Sequence, residues 1–154
     1  MQNMGKYTRL TIHTDGASRG NPGPAATGIH IADDTTSQTV AEFGFKLGNA
    51  TNNEAEYQAL LQAVEWLLEH KELLADNIQI HFRLDSKLVV SQLLGLWGIK
   101  EPRLRQLAGK VRSCLHQLPG TYTFEHVPRE ENTYADRLAN NTLDKRAPDS
   151  HTSP

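Results

Sequence analysis

Apolar positions along the chain recur at two spacings, and the alternation between them predicts the order of elements. From Tyr7 to Thr14, Leu10 and Ile12 fall on one side and Arg9, Thr11 and His13 on the other, which is strand periodicity. Thr27–Ile31 and Val40–Phe45 read as two more strands, separated by the turn Asp33-Asp34-Thr35-Thr36-Ser37. The spacing then changes to three and four: Tyr57, Leu60, Leu61, Val64, Leu67 and Leu68 form the stripe of a helix running to about Leu68. Its start is marked by Thr51-Asn52-Asn53-Glu54, the spacing of a capping box. Ile78, Ile80, Phe82 and Leu84 restore alternation in a fourth strand that ends at Asp85. Ser86 caps a short helix closed by Gly95, and Pro102 opens another that carries Leu104, Leu107, Val111, Cys114, Leu115 and Leu118. A fifth strand spans Thr121–Val127, and a last helix spans Thr133–Lys145.

This order is three strands, helix, strand, two helices, strand, helix. Short links make the first three strands an antiparallel meander, and helical crossovers let the fourth and fifth lie parallel to the first. The expected fold is α/β, a five-stranded mixed sheet flanked by helices. At 154 residues the chain fits one domain. It is expected to span 7–146, with a frayed segment 1–6 before it and a disordered tail 147–154 after it.

Composition narrows the setting. Apolar residues make up 38% and charged residues 22%, as in ordinary water-soluble domains. No apolar run reaches membrane-spanning length, and the first residues lack the apolar segment of a secretory signal. Cys114 is the one cysteine, so no internal disulfide is available, and the expected location is the cytoplasm. The net charge of −2 argues against coating nucleic acid by bulk attraction. Its distribution is uneven: between Arg83 and Arg112 seven basic residues face only Asp85 and Glu101, a local +5, which leaves −7 on the remainder. A basic segment on an acidic body suits one side of a groove for a polyanion.

Candidate chemistry enters through the carboxylates. Asp15 precedes a stretch rich in glycine and proline, Gly16-Ala17-Ser18-Arg19-Gly20-Asn21-Pro22-Gly23-Pro24, where exposed backbone N–H groups can meet phosphate. Alone, Asp15-Gly16 reads more readily as a plain turn than as a site. Parallel pairing of the first and fourth strands, however, sets Asp85 beside it at the same carboxyl end, where ligands of open sheets gather. Glu56 lies on the buried stripe of its helix, four residues before Leu60, a costly place for an unpaired carboxylate. Asp136 falls in the first turn of the last helix. Four crowded carboxylates with no cysteine among them suit Mg²⁺, or Mn²⁺ in its place, and a two-metal carboxylate site serves phosphodiester hydrolysis.

Four segments together resemble the type 1 ribonuclease H family: Asp15 to Pro24, Thr51-Asn52-Asn53-Glu54-Ala55-Glu56-Tyr57, Leu84-Asp85-Ser86 with Val89-Val90, and Asn132-Thr133-Tyr134-Ala135-Asp136-Arg137-Leu138-Ala139. The resemblance covers about residues 7–145. It implies the ribonuclease H-like fold and metal-dependent cleavage of the RNA strand of RNA–DNA hybrids, leaving 5′-phosphate and 3′-hydroxyl ends. It assigns metal binding and catalysis to Asp15, Glu56, Asp85 and Asp136, with Glu54 left as a cap. It further implies that Gly16, Ser18, Arg19, Gly20 and Asn21 face the RNA strand, that Asn52 and Asn53 reach base edges in the minor groove, and that Thr51 contacts a DNA phosphate. Two departures from the family pattern stand out. Pro128-Arg129-Glu130-Glu131-Asn132 has no loop histidine, and Arg129 stands as its substitute, as in a branch with the pattern Arg-x-x-Asn-x-x-Ala-Asp. An arginine keeps its proton near neutral pH, so it would orient or release phosphate. His126 is expected to be structural. The long basic protrusion is also missing, which leaves substrate grip to Lys87, Lys100, Arg103 and Arg105, with Trp97 either stacking on the backbone or packing in the core. The expected partner is the hybrid, with no membrane, and the expected state is a monomer. Two alternatives remain open: preference for double-stranded RNA or RNA–DNA junctions, and an idle hybrid-binding module.

Overall fold

The computed structural model describes residues 6–145. The segments expected to be frayed or disordered lie outside these, apart from Lys6. β1 (Tyr7–Ser18) is followed by β2 (Gly23–Asp33), β3 (Thr39–Phe43) and β4 (Lys46–Ala50). Then come α1 (Asn52–Glu69), β5 (Leu74–Leu84), α2 (Lys87–Leu93), α3 (Pro102–Leu115), β6 (Thr121–His126) and α4 (Thr133–Asp144). The sheet runs β3-β2-β1-β5-β6, with β1, β2 and β3 antiparallel and with β5 and β6 parallel to β1, as expected.

The expectation of five strands is corrected to six. The single strand expected at Val40–Phe45 ends at Phe43, and β4 follows, so β3 and β4 pair with successive stretches of β2. Between them the chain presses onto β2: a Cβ on Gly44 would lie 2.2 Å from the carbonyl oxygen of Thr27. The Thr27 N–H donates to the Phe45 carbonyl at 2.9 Å, and the Phe45 N–H donates to Thr27 Oγ1 at 3.0 Å. β1 and β2 are also longer than expected, pairing through Asp15↔Gly28, Gly16↔Thr27 and Ser18↔Ala25. Asp15 is therefore inside a strand, and the break in pairing is confined to the turn at 19–22.

Successive residues of a strand face opposite sides of the sheet, and the two helical layers follow from that rule. Leu10 and Ile12 face α1 and pack with Tyr57, Leu60, Val64, Phe82 and Leu107 in one core. Thr27, on the same side, donates its hydroxyl to Gln62 of α1 at 2.6 Å. Gly28 faces the other way, where a Cβ would lie 2.3 Å from the Ala135 carbonyl and 2.5 Å from the Ala139 nitrogen of α4. α4 is seated on backbone there, which a side chain at 28 would prevent. No helix among the described residues is long and apolar enough to cross a membrane.

The α1 start is a full capping box. Thr51 Oγ1 accepts the Glu54 N–H at 3.1 Å, and Glu54 Oε1 accepts the Thr51 N–H at 2.8 Å. Thr51→Ala is expected to lower stability by about 1 kcal/mol, read from urea unfolding.

Candidate metal centre and nucleic-acid face

The site forms where β1, β5, α1 and α4 meet. Thr14 and Leu84 are parallel partners, so the next residues, Asp15 and Asp85, emerge side by side. Glu56 comes from the opposite layer, and Gly16 lets it in: a Cβ there would lie 2.2 Å from the Ala55 carbonyl carbon and 2.4 Å from the Glu56 nitrogen. The Gly16 N–H donates to Glu56 Oε1 at 3.1 Å, fixing that carboxylate over the end of β1. One oxygen from each of Asp15, Glu56 and Asp85 lies within 4.8 Å of the other two. Asp136, in the first turn of α4, adds its charge to those acting on Asp15 but is not one of these three; its Oδ1 accepts from Asn140 Nδ2 at 3.3 Å.

This crowding shows in the protonation of the group. Asp15 is 4% exposed. Burial, then repulsion from Asp85, pushes its pKa up to about 8. Glu56 is likewise raised well above the usual carboxylate range, by burial first and then by Asp15 and Asp85. A group that resists ionising until a countercharge arrives, and that offers only carboxylate oxygens, fits a hard divalent cation rather than zinc.

Sequence reading gave Asn132 no role, yet it is fully buried. It precedes α4 without capping it. Its Nδ2 donates to the Thr14 carbonyl at 2.9 Å and to Asp85 Oδ2 at 3.3 Å, so one amide ties the last helix to both strands that carry aspartates. Arg129 lies in the single 3₁₀ turn Arg129–Glu131 just before it, exposed and with no side-chain hydrogen bond among the described residues. That turn is held from below by Arg83, whose guanidinium meets Glu131 at 3.1 Å and Glu125 at 3.3 Å. His126 is exposed at the end of β6, where it holds the strand position expected of it and pairs with Leu84.

The other expected contact residues divide into those presented outward and those already engaged. Asn52 and Asn53 are exposed at the start of α1, and Asn21 Oδ1 accepts the Asn52 N–H at 2.9 Å, pinning the β1–β2 turn to that helix. Ser18 Oγ donates to the Ala50 carbonyl at 2.8 Å and also contacts the Gly20 carbonyl. Arg19 forms an ion pair with Asp144 at 2.5 Å, which turns it toward α4. Gly20 takes φ 115° in the turn, a conformation that favours glycine. Lys87 sits over the Trp97 ring at 5.9 Å, and Trp97 is 45% exposed, so it is not a core residue. Lys100 is exposed, and Arg103 approaches Glu54 of the capping box at 3.6 Å. Arg105, expected to grip substrate, instead donates Nε and an Nη to the carbonyls of Ile99 and Lys100, each at 3.2 Å.

The chain matches the family model described as reverse transcriptase-like over residues 13–142. It is 40% identical to the bifunctional protein Rv2228c of Mycobacterium tuberculosis over 139 residues, 90% of this chain but 36% of the mycobacterial protein. The chain thus spans about a third of that relative. Among solved structures it is similar to RNase H1 of the halophilic archaeon Halobacterium salinarum, with TM-score 0.80 and 42% identity, covering 88% of this chain and 98% of the other. It is similar at the same TM-score, with 37% identity, to LC11-RNase H1 in complex with an RNA/DNA hybrid, covering 88% and 96% of the two chains.

Proposed function

The chain belongs to the type 1 ribonuclease H family, and on that premise we propose that it hydrolyses the RNA strand of RNA–DNA hybrids with Mg²⁺, leaving 5′-phosphate and 3′-hydroxyl ends. The observation that carries this reading is the meeting of Asp15, Glu56 and Asp85 within 4.8 Å, with Asp136 near enough to act on the Asp15 charge, beside an exposed asparagine pair at a helix start. The substrate class is the hybrid that LC11-RNase H1 holds. All four carboxylates come from one chain, so the site needs no second copy. A single cysteine, Cys114, left as a free thiol, suits a reducing cytoplasm.

Asp15, Glu56, Asp85 and Asp136 would hold two divalent ions. When bound, such ions lower the pKa of an attacking water and stabilise charge on the leaving oxygen. The rest is done by the chain. Gly16 N–H and Asn132 Nδ2 each donate to one carboxylate, so Glu56 and Asp85 are held before substrate arrives and little reorganisation is left for the reaction. Asn52 and Asn53 read the minor groove, where 2′-hydroxyls distinguish RNA from DNA. Thr51 meets a DNA phosphate at the helix start, and Lys87, Lys100 and Arg103 take backbone phosphates along the basic side. Arg129, exposed beside Asn132, orients or releases phosphate in place of the loop histidine.

The test is a panel of matched end-labelled substrates: hybrid, double-stranded RNA, single-stranded RNA, duplex DNA and an RNA–DNA junction. The hybrid is expected to be cut fastest, with 5′-phosphate on each new end. Faster cutting of double-stranded RNA or of the junction would move the assignment to those substrates. Binding of the hybrid with no cleavage in Mg²⁺ or Mn²⁺ would make the chain a binding module.

A further inference from the structure

The segment between α2 and α3, residues 94–101, replaces the long basic protrusion of other family members with eight residues, and every part of it is tied down. The N–H groups of Leu96 and Trp97 both donate to the Ser91 carbonyl, at 2.8 and 3.2 Å. The next three carbonyls are then captured by side chains. Gln92 Nε2 donates to the Gly98 carbonyl at 3.1 Å, while Arg105 reaches Ile99 and Lys100. Gln92 is itself 5% exposed, and its Oε1 accepts the hydroxyl of fully buried Tyr57 at 2.7 Å. Tyr57 follows Glu56 on α1, so a hydrogen-bonded chain runs from the carboxylate helix to the connector. Arg112 of α3 adds a bond to the Gln92 carbonyl at 3.0 Å.

What this scaffold presents is exposed: Leu96, Trp97 with Lys87 against its ring, and Lys100. The segment ends at Glu101, which lines a cleft of about 320 Å³ with Asn21, Thr51, Asn53, Glu54 and Leu104, at the start of α1. A short connector of glycines and long side chains would ordinarily sample many conformations, and ordering it on binding would weaken affinity.

We propose that Gln92 and Arg105 are positioning residues for the nucleic acid. They fix the connector backbone so that Trp97 and Lys100 meet the hybrid already in place. Arg105 acts through its fork on two adjacent carbonyls and not as a charge on phosphate; a lysine has the charge but lacks the planar fork. This inference rests on the hybrid-cleaving function proposed above.

Two substitutions of Arg105, on the surface, separate the roles. Arg105→Lys and Arg105→Gln are both expected to raise KM for the hybrid three- to tenfold with kcat little changed. The dependence of log KM on log salt should keep its wild-type slope, the melting temperature should stay close to wild type, and the backbone order parameters of residues 98–100 should fall. The pair Tyr57→Phe with Gln92→Met, which removes both ends of the buried bond, should raise KM similarly. The idea is overturned if Arg105→Lys behaves as wild type while Arg105→Gln loses about one unit of salt slope, the mark of a direct phosphate contact. It is equally overturned if neither substitution changes KM. An inactive wild-type protein would instead bring down the functional assignment on which this one stands.

Discussion

Asp15→Asn is expected to melt several degrees above the wild type in EDTA while cleaving hybrid at least ~10³-fold more slowly in Mg²⁺. Both effects come from the same crowding. Asp15 is nearly inaccessible and is repelled by the charges of Asp85 and Asp136, so its charged form is opposed from several sides. A neutral amide of the same shape removes that repulsion, and relieving a strained site of this kind contributes about 0.5–2 kcal/mol, or a few degrees in a domain of this size. The charge it removes is one that would hold the cations. Loss of metal assistance worth several kcal/mol corresponds to three or more powers of ten in rate. Differential scanning fluorimetry and a single-turnover cleavage assay read the two sides. A less stable asparagine variant that still cleaves would show that Asp15 is neither crowded nor catalytic.

The same repulsion predicts how stability depends on pH. A carboxyl whose folded pKa is raised contributes stability that is complete below its unfolded pKa near 4 and is lost as pH rises through the folded value, about 8 for Asp15. Glu56 is raised too and acts with the same sign. In EDTA the gap in melting temperature between Asp15→Asn and wild type should therefore widen from pH 5 to pH 9. The comparison is needed because His13 acts in the opposite sense. Burial first, then Arg83, lowers its pKa to about 4, so its contribution is complete above 6.5 and is lost as pH falls toward 4. His13 is present in both proteins and cancels in the difference. Mg²⁺ should close the gap by raising the wild type alone, by ~2.7 kcal/mol when present at about a hundred times its dissociation constant. A gap that is flat with pH and indifferent to Mg²⁺ would contradict a cation site.

Where elements could be read from the sequence, they announced themselves by period. The α1 stripe with its capping box came through as a helix of nearly the right length, and the alternation in Ile78–Leu84 as a strand that in fact starts earlier, at Leu74. The misses lie where tertiary pairing overrides local pattern. Asp15–Ser18 and Gly23–Pro24 hold glycines, a proline and polar residues, yet the first is strand because the β1–β2 register runs on to Ser18↔Ala25, and the second because it pairs with Ala50 and Asn49 of β4. Lys46–Ala50 has little apolar content beyond Leu47 and became a strand because β2 is long enough to pair with two partners. Asp15, Glu56 and Asp85 were expected to come together and do, although Asp15 lies within β1 and not at its end. The bonds made by Asn132, Gln92 and Arg105 were not legible: Asn132 stood in the Arg-x-x-Asn-x-x-Ala-Asp pattern, but its reach to Thr14 crosses the chain, and Gln92 and Arg105 bond carbonyls of an irregular connector that has no period to read. Asn132 and Gln92 are buried, which only coordinates reveal, and Arg105 is exposed and leaves not even that trace.

The most direct measurement of the central claim is cleavage of a hybrid labelled on its RNA strand by the wild type in Mg²⁺ and in EDTA, with Asp15→Asn run in parallel. RNA-strand cuts are expected from the wild type in Mg²⁺ alone and none from the variant. Cutting that persists in EDTA, or an Asp15→Asn protein as active as the wild type, would contradict it.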